Sequence, residues 1–145
     1  MTIVKNLFLG FLAGVIATLT VHEIIKFFLH DAGYIPLVAW SMDPVDPFGL
    51  PKLASDAFWG GLWGSIFSLF LGSAPSGSMT MKGIVMGLLG PALLGVFIIV
   101  PLIKGAPLFF DGNAILIGSV LLILAGFGSV TAWLYGFFTA GCRLP

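Results

Sequence analysis

The sequence predicts an all-α, polytopic membrane protein built as a four-helix transmembrane bundle. Three observations lead to this fold class: few charges, four long apolar segments, and no alternating pattern of the kind found in barrel strands. Of the 145 residues, 59% are hydrophobic and only 8% are charged, with a mean hydropathy of +1.13. Soluble domains carry about 25% charged residues, because water must wet their surface. This chain therefore needs lipid as its solvent.

Four apolar segments are long enough to cross a bilayer, which takes about 20 residues of helix. Within a single domain of residues 1–145, they cover approximately residues 7–29, 54–72, 83–103 and 115–140. Backbone polar groups in lipid must be satisfied internally, so each segment is predicted to be helical. Small residues recur at every fourth position in all four segments, a pattern that lets helix backbones approach closely. The first segment is too long for a cleaved signal peptide, so we expect it to be retained.

The distribution of charges predicts an orientation. Positive side chains on the N-terminal side of the membrane would be Lys5, Lys82 and Arg143. Those on the other side would be Lys26, Lys52 and Lys104. All six acidic residues fall on that second side, which leaves the N-terminal side purely basic. Because basic residues favour the cytoplasmic side, we expect both termini inside the cell.

The connection between the first two apolar segments, residues 30–56, is long and contains four prolines. Its residues 34–40 are too apolar to stay in water and too short to cross the bilayer. We therefore expect this outer loop to lie over the helix ends and to cap the bundle. Ser55 and Asp56 are predicted to cap the second helix, their side-chain oxygens accepting from free backbone N–H groups.

Polar side chains interrupt the first apolar segment at residues 18–26. This stretch holds the only Glu of the chain and one of its two His residues. An ionised carboxylate inside a membrane needs a partner and is by default a hypothesis of function. The candidate intramembrane polar site comprises His22, Glu23, Lys26, His30 and Lys104.

Three interpretations of this site compete. In the first, a structural clamp, Glu23 pairs with Lys26 at i+3 or with a neighbouring helix, while Lys26 and His30 extend to the membrane interface. In the second, Glu23 and His22 relay protons or ions. The third is a metal or haem site. It is disfavoured because Lys26 stands where a zincin motif needs its second His, and because His22 and His30 lie about 12 Å apart along a helix.

The sequence lacks the motifs expected for disulfides, Cys-based metal sites, enzyme activity and nucleic-acid binding. The lone cysteine, Cys142, forms neither an intrachain disulfide nor a Cys-based metal site. The sequence contains no Gly-rich phosphate loop and no G-x-S-x-G elbow, so we expect no enzyme activity and no cofactor. A net charge of zero without a basic patch excludes nucleic acid as a partner.

Three stretches carry a resemblance to known sequences. These are residues 10–22 (GFLAGVIATLTVH), 47–51 (PFGLP) and 57–64 (AFWGGLWG). Together they resemble a group of small uncharacterised proteobacterial inner-membrane proteins, over about the first half of the chain. The resemblance implies a location in the bacterial inner (plasma) membrane. In that group we expect Gln after the His, where this chain has Glu23.

The function expected from the sequence is a non-enzymatic accessory or assembly role, because nearly all of its patterns concern helix packing. Its partners would be the lipid bilayer and either further copies of the chain, in a homo-oligomer, or the other subunits of a larger membrane complex. The alternative is a small transporter or proton-coupled carrier that uses Glu23 and His22. That alternative requires Glu23 to face the interior of the bundle, in contact with water or with a polar residue of another helix.

Overall fold

The computed structural model of this chain describes residues 2–46, 48–72 and 77–140. The described residues are mostly helical and contain four long helices: α1 (Ile3–Asp31), α2 (Lys52–Leu71), α3 (Met79–Lys104) and α4 (Ala114–Thr139). Of these, α1, α3 and α4 are long and apolar enough to cross a membrane. The prediction of a helical chain with membrane-spanning segments is confirmed to that extent. Cys142 and Arg143 lie outside the described residues.

Side-chain caps fix where three of the helices begin. Thr2 accepts from the backbone of α1 at 3.3 Å, Ser78 accepts from that of α3 at 3.3 Å, and Asn113 accepts from two N–H groups of α4 at 3.1 and 3.2 Å. Such oxygens satisfy donors that have no partner within the helix. Helix α2 instead follows Pro51 and starts at Lys52. The prediction that Ser55 and Asp56 cap it is therefore wrong, since both lie inside the helix.

Two helices contain π-type turns. In α3 this segment is Leu88–Ile99, and it includes Pro91. Proline has no N–H to donate to the carbonyl four residues earlier, so it cannot form the regular α-helical hydrogen bond. A π-type turn is one way in which a helix departs from regular geometry. The sequence predicts a bend near Pro91, and the structure has this wide segment there. In α1 the π-type turn is Thr18–His22, immediately before Glu23.

The helices pack in two close pairs along glycine rows. Between α1 and α2, a Cβ added to Gly14 would collide with the carbonyl oxygen of Gly60. Between α3 and α4, a Cβ added to Gly83 would collide with the carbonyl oxygen of Gly128. Only glycine permits such close backbone approach, and close approach supplies the dispersion contact that holds helices together in lipid.

The core lies where these pairs meet. Phe67 of α2 and Phe127 of α4 are both buried, with ring centroids 6.1 Å apart. The buried Tyr135 of α4 donates its hydroxyl hydrogen to the carbonyl oxygen of Gly72, just beyond α2, at 2.6 Å. The Tyr135 hydrogen bond joins α2 and α4 at the end of α2 opposite the α1–α2 connection.

The α1–α2 connection folds back on the helices. Ile35 is only 6% exposed and belongs to the hydrophobic core. A short antiparallel pair follows, β1 (Pro44–Val45) with β2 (Leu50–Pro51), and β2 leads directly into α2. In the α3–α4 connection, Phe109, Phe110 and Asp111 have φ values of 51°, 51° and 54°, in the left-handed region.

Candidate intramembrane polar site

Glu23 is completely buried and accepts from three donors. The Nδ1 atom of His22 lies 2.9 Å from Oε1, and the Nζ atom of Lys26 lies 2.9 Å from the same oxygen. The backbone N–H of Trp40, in the α1–α2 connection, donates to Oε2 at 2.6 Å. The predicted pairing of Glu23 with Lys26 is thus confirmed, and both carboxylate oxygens are satisfied.

Lys26 connects α1 with α2. Its Nζ atom also lies 3.3 Å from Oδ2 of Asp56, and its side chain is only 3% exposed. The expectation that Lys26 extends to the membrane interface is therefore wrong. The carboxylate of Asp56 accepts in addition from Lys52 Nζ at 3.0 Å, a pairing that the i, i+4 spacing on α2 permits.

These five residues, His22, Glu23, Lys26, Asp56 and Lys52, form what we call the polar cluster. Two carboxylates face two ammonium groups, so the cluster is formally neutral when the imidazole is neutral. The exposed fraction of the side chains increases from one contact to the next, from 0% for Glu23 to 21% for Asp56 and 29% for Lys52. An unpaired charge in a low-dielectric interior is strongly unfavourable. The pairing found here explains how this sequence keeps four charges close to its core.

Trp40 binds the α1–α2 connection to α1 through two hydrogen bonds. Besides the bond from its backbone to Glu23, its indole Nε1–H donates to the carbonyl oxygen of Leu19 at 3.0 Å. Leu19 lies in the π-type turn, where the N–H of Glu23 bonds instead to the carbonyl of Thr18. Trp40 itself adopts a φ of 50°, in the left-handed region that L-residues rarely occupy.

Two residues of the predicted site lie apart from the cluster. The Nδ1 atom of His30 lies 3.0 Å from the carbonyl oxygen of Ile35, so this His holds the start of the connection. Lys104 is exposed at the end of α3, and within the described part of the chain it forms no ion pair. The structure therefore brings together His22, Glu23 and Lys26 of the five.

The sequence analysis missed Asp56, Lys52 and Trp40 as members of the site. A signal existed for the first two, because Lys52 and Asp56 have the i, i+4 spacing of a helical ion pair. A cap position for Asp56 would place it at the start of the helix, where it could not face a residue one turn earlier. No sequence pattern points to a backbone N–H such as that of Trp40.

His22 is the one member of the cluster with an unused polar atom. A carboxylate only accepts hydrogen bonds, so Nδ1 must carry the hydrogen that faces Glu23. The other ring nitrogen, Nε2, has no hydrogen bond among the described residues. The ring packs edge-on against Phe127 and lines a cavity of about 470 Å³, to which all four helices contribute.

The arrangement supports charge pairing among His22, Glu23 and Lys26. In the ranges described, no three His, Cys, Asp or Glu residues are grouped so as to hold a metal ion. The donors around Glu23 include a lysine ammonium, which competes with any cation for the carboxylate.

Comparisons with protein families, curated proteins and solved structures found no match to this chain. Fold and site alone define its class. It is a helical protein with three helices able to cross a membrane and a buried, charge-balanced polar cluster beside a cavity.

Proposed function

We propose that this chain is a non-enzymatic integral membrane protein with an accessory or assembly role, as a homo-oligomer or as a subunit of a larger membrane complex. The observation that carries the proposal is the internal pairing of the polar cluster. Glu23 has three donors and Lys26 has two acceptors, so these buried charges join α1, α2 and their connection. Charges that are paired in this way stabilise the packing of α1, α2 and their connection, and they are not available to act on a substrate.

In this proposal α2 is a fourth membrane span, which completes the four-helix bundle. It follows α1 closely along the contacts of Gly60 and Gly64, so it runs beside a helix that is itself apolar enough to span. The large side chains that it leaves exposed are apolar or aromatic, as lipid contact requires: Phe58, Trp59, Ile66, Leu69 and Phe70. The α1–α2 connection, bound to Glu23 through Trp40, is then the outer cap of the bundle.

The same proposal places the bundle in the bacterial inner membrane with both termini inside. Support comes from the basic residues Lys5 and Lys82 on the N-terminal side and from the resemblance of residues 10–22, 47–51 and 57–64. Contacts with the bilayer or with other subunits would use the exposed apolar faces of α1 and α3, which include Phe28, Leu102 and Ile103.

The assembly role is tested by counting copies in a membrane. The fluorescently labelled chain is diluted into lipid vesicles, and photobleaching steps are counted for each spot. Nanodisc extraction from native membranes then gives the mass of the particle to compare with 15.3 kDa for one chain. We expect two or more steps per spot, or a native particle with a further defined subunit. Single steps together with a native particle of one chain would overturn the proposal.

A second candidate function is that of a small transporter or proton-coupled carrier using Glu23 and His22. The observation that favours it is the position of His22, which contacts the buried carboxylate on one side and a cavity on the other. Glu23 also faces the interior, and its partner Lys26 reaches the acid of a second helix. A carrier of this kind predicts proton flux into liposomes that falls in Glu23→Gln. Equal flux in that variant and the wild type would exclude it.

A further inference from the structure

The cavity beside the polar cluster has apolar walls and a small polar part. Most of its lining comes from aromatic, aliphatic and glycine residues of α2 and α3, such as Trp63, Ile66 and Ile99. The polar side chains in the lining are those of Thr18, His22 and Asp56, apart from indole N–H groups. Thr18 donates its hydroxyl hydrogen to the Gly14 carbonyl, and Asp56 is paired with lysines, whereas Nε2 of His22 is an acceptor without any hydrogen-bond partner among the described residues.

The volume limits what the cavity can hold. At about 470 Å³ it lies within the range of about 300–1,000 Å³ typical of ligand pockets. A water-sized group occupies about 30 Å³ of liquid, so the cavity holds on the order of 15 such groups, each similar in size to a methylene. This space has room for one hydrocarbon chain with a small head group.

The chemistry of His22 defines the head group. Because Nδ1 donates to Glu23, the neutral imidazole presents a lone pair on Nε2 and requires a donor from its ligand. The indole N–H of Trp63 has no acceptor within the described ranges, so it requires an acceptor from the ligand. A hydroxyl group can both donate and accept. The charges of the cluster cancel, so a charged head group gains no net partner there.

We infer that this cavity is a binding site for a neutral, single-chain lipid with a hydroxyl head group, and that the hydroxyl donates to Nε2 of His22. Glu23 is the positioning residue of this site, because its carboxylate fixes which ring nitrogen of His22 carries the hydrogen. The inference requires only the fold of one chain, so it stands independently of any assembly role.

The test compares two probes on the purified full chain in a detergent without hydroxyl groups, with bound probe counted by native mass spectrometry. One probe is a monoacylglycerol with a 12-carbon chain, and the other is its di-O-methyl ether, which cannot donate. One hydrogen bond is worth about 3- to 10-fold in affinity. We expect the wild type to prefer the monoacylglycerol by that factor. Equal affinity for the two probes would overturn the inference.

The matched variant is His22→Asn. The amide nitrogen of Asn can replace the Nδ1–H donor to Glu23, and its amide oxygen then takes the place of the ring Cδ2 atom and does not reach the position of Nε2. We expect this variant to bind the ether as the wild type does and to lose the preference for the hydroxyl probe. A preference retained in His22→Asn would show that another group binds the hydroxyl and would contradict the assignment.

A second variant tests the cavity itself and does not involve the cluster. Gly95 lines the cavity, and a Cβ added there would lie 3.5 Å from the ring of Trp63, an ordinary contact. Gly95→Leu places a larger side chain in the space for the hydrocarbon chain, so binding of both probes should fall. Unchanged binding of both would show that the probes bind elsewhere on the chain, and the inference would fail.

Discussion

The backbone N–H of Trp40 donates to Oε2 of Glu23 at 2.6 Å, although 17 positions separate the two residues in the chain. Glu23 lies within α1, and Trp40 lies in the connection to α2. A carboxylate that accepts from a backbone N–H forms a charge-assisted hydrogen bond, stronger than a bond between neutral groups. The fold of the connection is thus tied to the one glutamate of the chain.

The first prediction concerns Glu23→Gln. Every group around this side chain is a donor: His22 Nδ1, Lys26 Nζ and the Trp40 N–H. Glutamine offers one acceptor oxygen and places its own NH₂ against these donors, and it leaves the cluster with an unbalanced positive charge. Breaking a buried ion pair in this way destabilises by about 3–5 kcal/mol. We expect a loss of that size in unfolding by SDS in mixed micelles.

The control for this variant is Asp31→Asn. It makes the same carboxylate-to-amide change at the exposed end of α1, where Asp31 has no ion pair among the described residues. Surface substitutions of this kind change stability by about 0.5 kcal/mol or less. If Glu23→Gln unfolded at the same SDS fraction as Asp31→Asn, the paired carboxylate would not stabilise the fold.

The second prediction is a gradient along the polar cluster. Lys26→Met leaves the buried Glu23 without its cation, and Asp56 retains only Lys52, so the loss should be several kcal/mol. Lys52→Met removes a cation whose side chain is 29% exposed, and such pairs contribute about 1 kcal/mol or less. The same SDS titration ranks the two variants. A larger loss for Lys52→Met would contradict the order of burial in the structure.

A double variant tests whether Glu23 and Lys26 act as one unit. Residues in direct contact are coupled by about 0.5–3 kcal/mol, so Glu23→Gln combined with Lys26→Met should destabilise by less than the sum of the single changes. Additive losses would mean that the 2.9 Å contact between the two side chains contributes no coupling.

Much of the fold follows from short-range sequence patterns. The low charge and the long apolar segments predict helices in lipid, and the pairing of Glu23 with Lys26 follows from a spacing of three residues on one helix. The rows of small residues predict close helix contacts, and Gly14 does meet Gly60 in the structure. The signal for each of these features lies within one segment, where the helical period places residues three or four positions apart on one face.

The rest of the site depends on contacts across the chain. Asp56 joins the cluster because α2 begins at Lys52, so the acid lies inside the helix, on the face toward Lys26, and not at its cap. The Trp40 N–H reaches Glu23 from 17 positions away in the chain, and Trp40 has a left-handed backbone conformation that no propensity of tryptophan predicts. Tertiary packing selects both arrangements, so a pattern within one segment cannot reveal them.

The third prediction contrasts two glycines. Gly14→Ala introduces a Cβ that would collide with the Gly60 carbonyl oxygen, so α1 and α2 must separate. Overpacking of this kind typically destabilises by about 1–3 kcal/mol. Gly118→Ala on α4 is the control, because nothing lies within 4 Å of a Cβ added there. Thermal unfolding in detergent should place Gly14→Ala below the wild type and Gly118→Ala at or above it.

The last prediction tests whether α2 crosses the membrane and which way the chain is oriented. Met42, before α2, and Met81, at the start of α3, are exposed by 65% and 59%. Each is replaced by cysteine in a Cys142→Ser background and labelled in intact cells with a membrane-impermeant maleimide. If α2 spans the membrane and the N-terminus is inside, Met42→Cys is labelled at once and Met81→Cys only after permeabilisation. Labelling of both in intact cells would show that α2 does not span, and labelling of Met81→Cys alone would reverse the orientation.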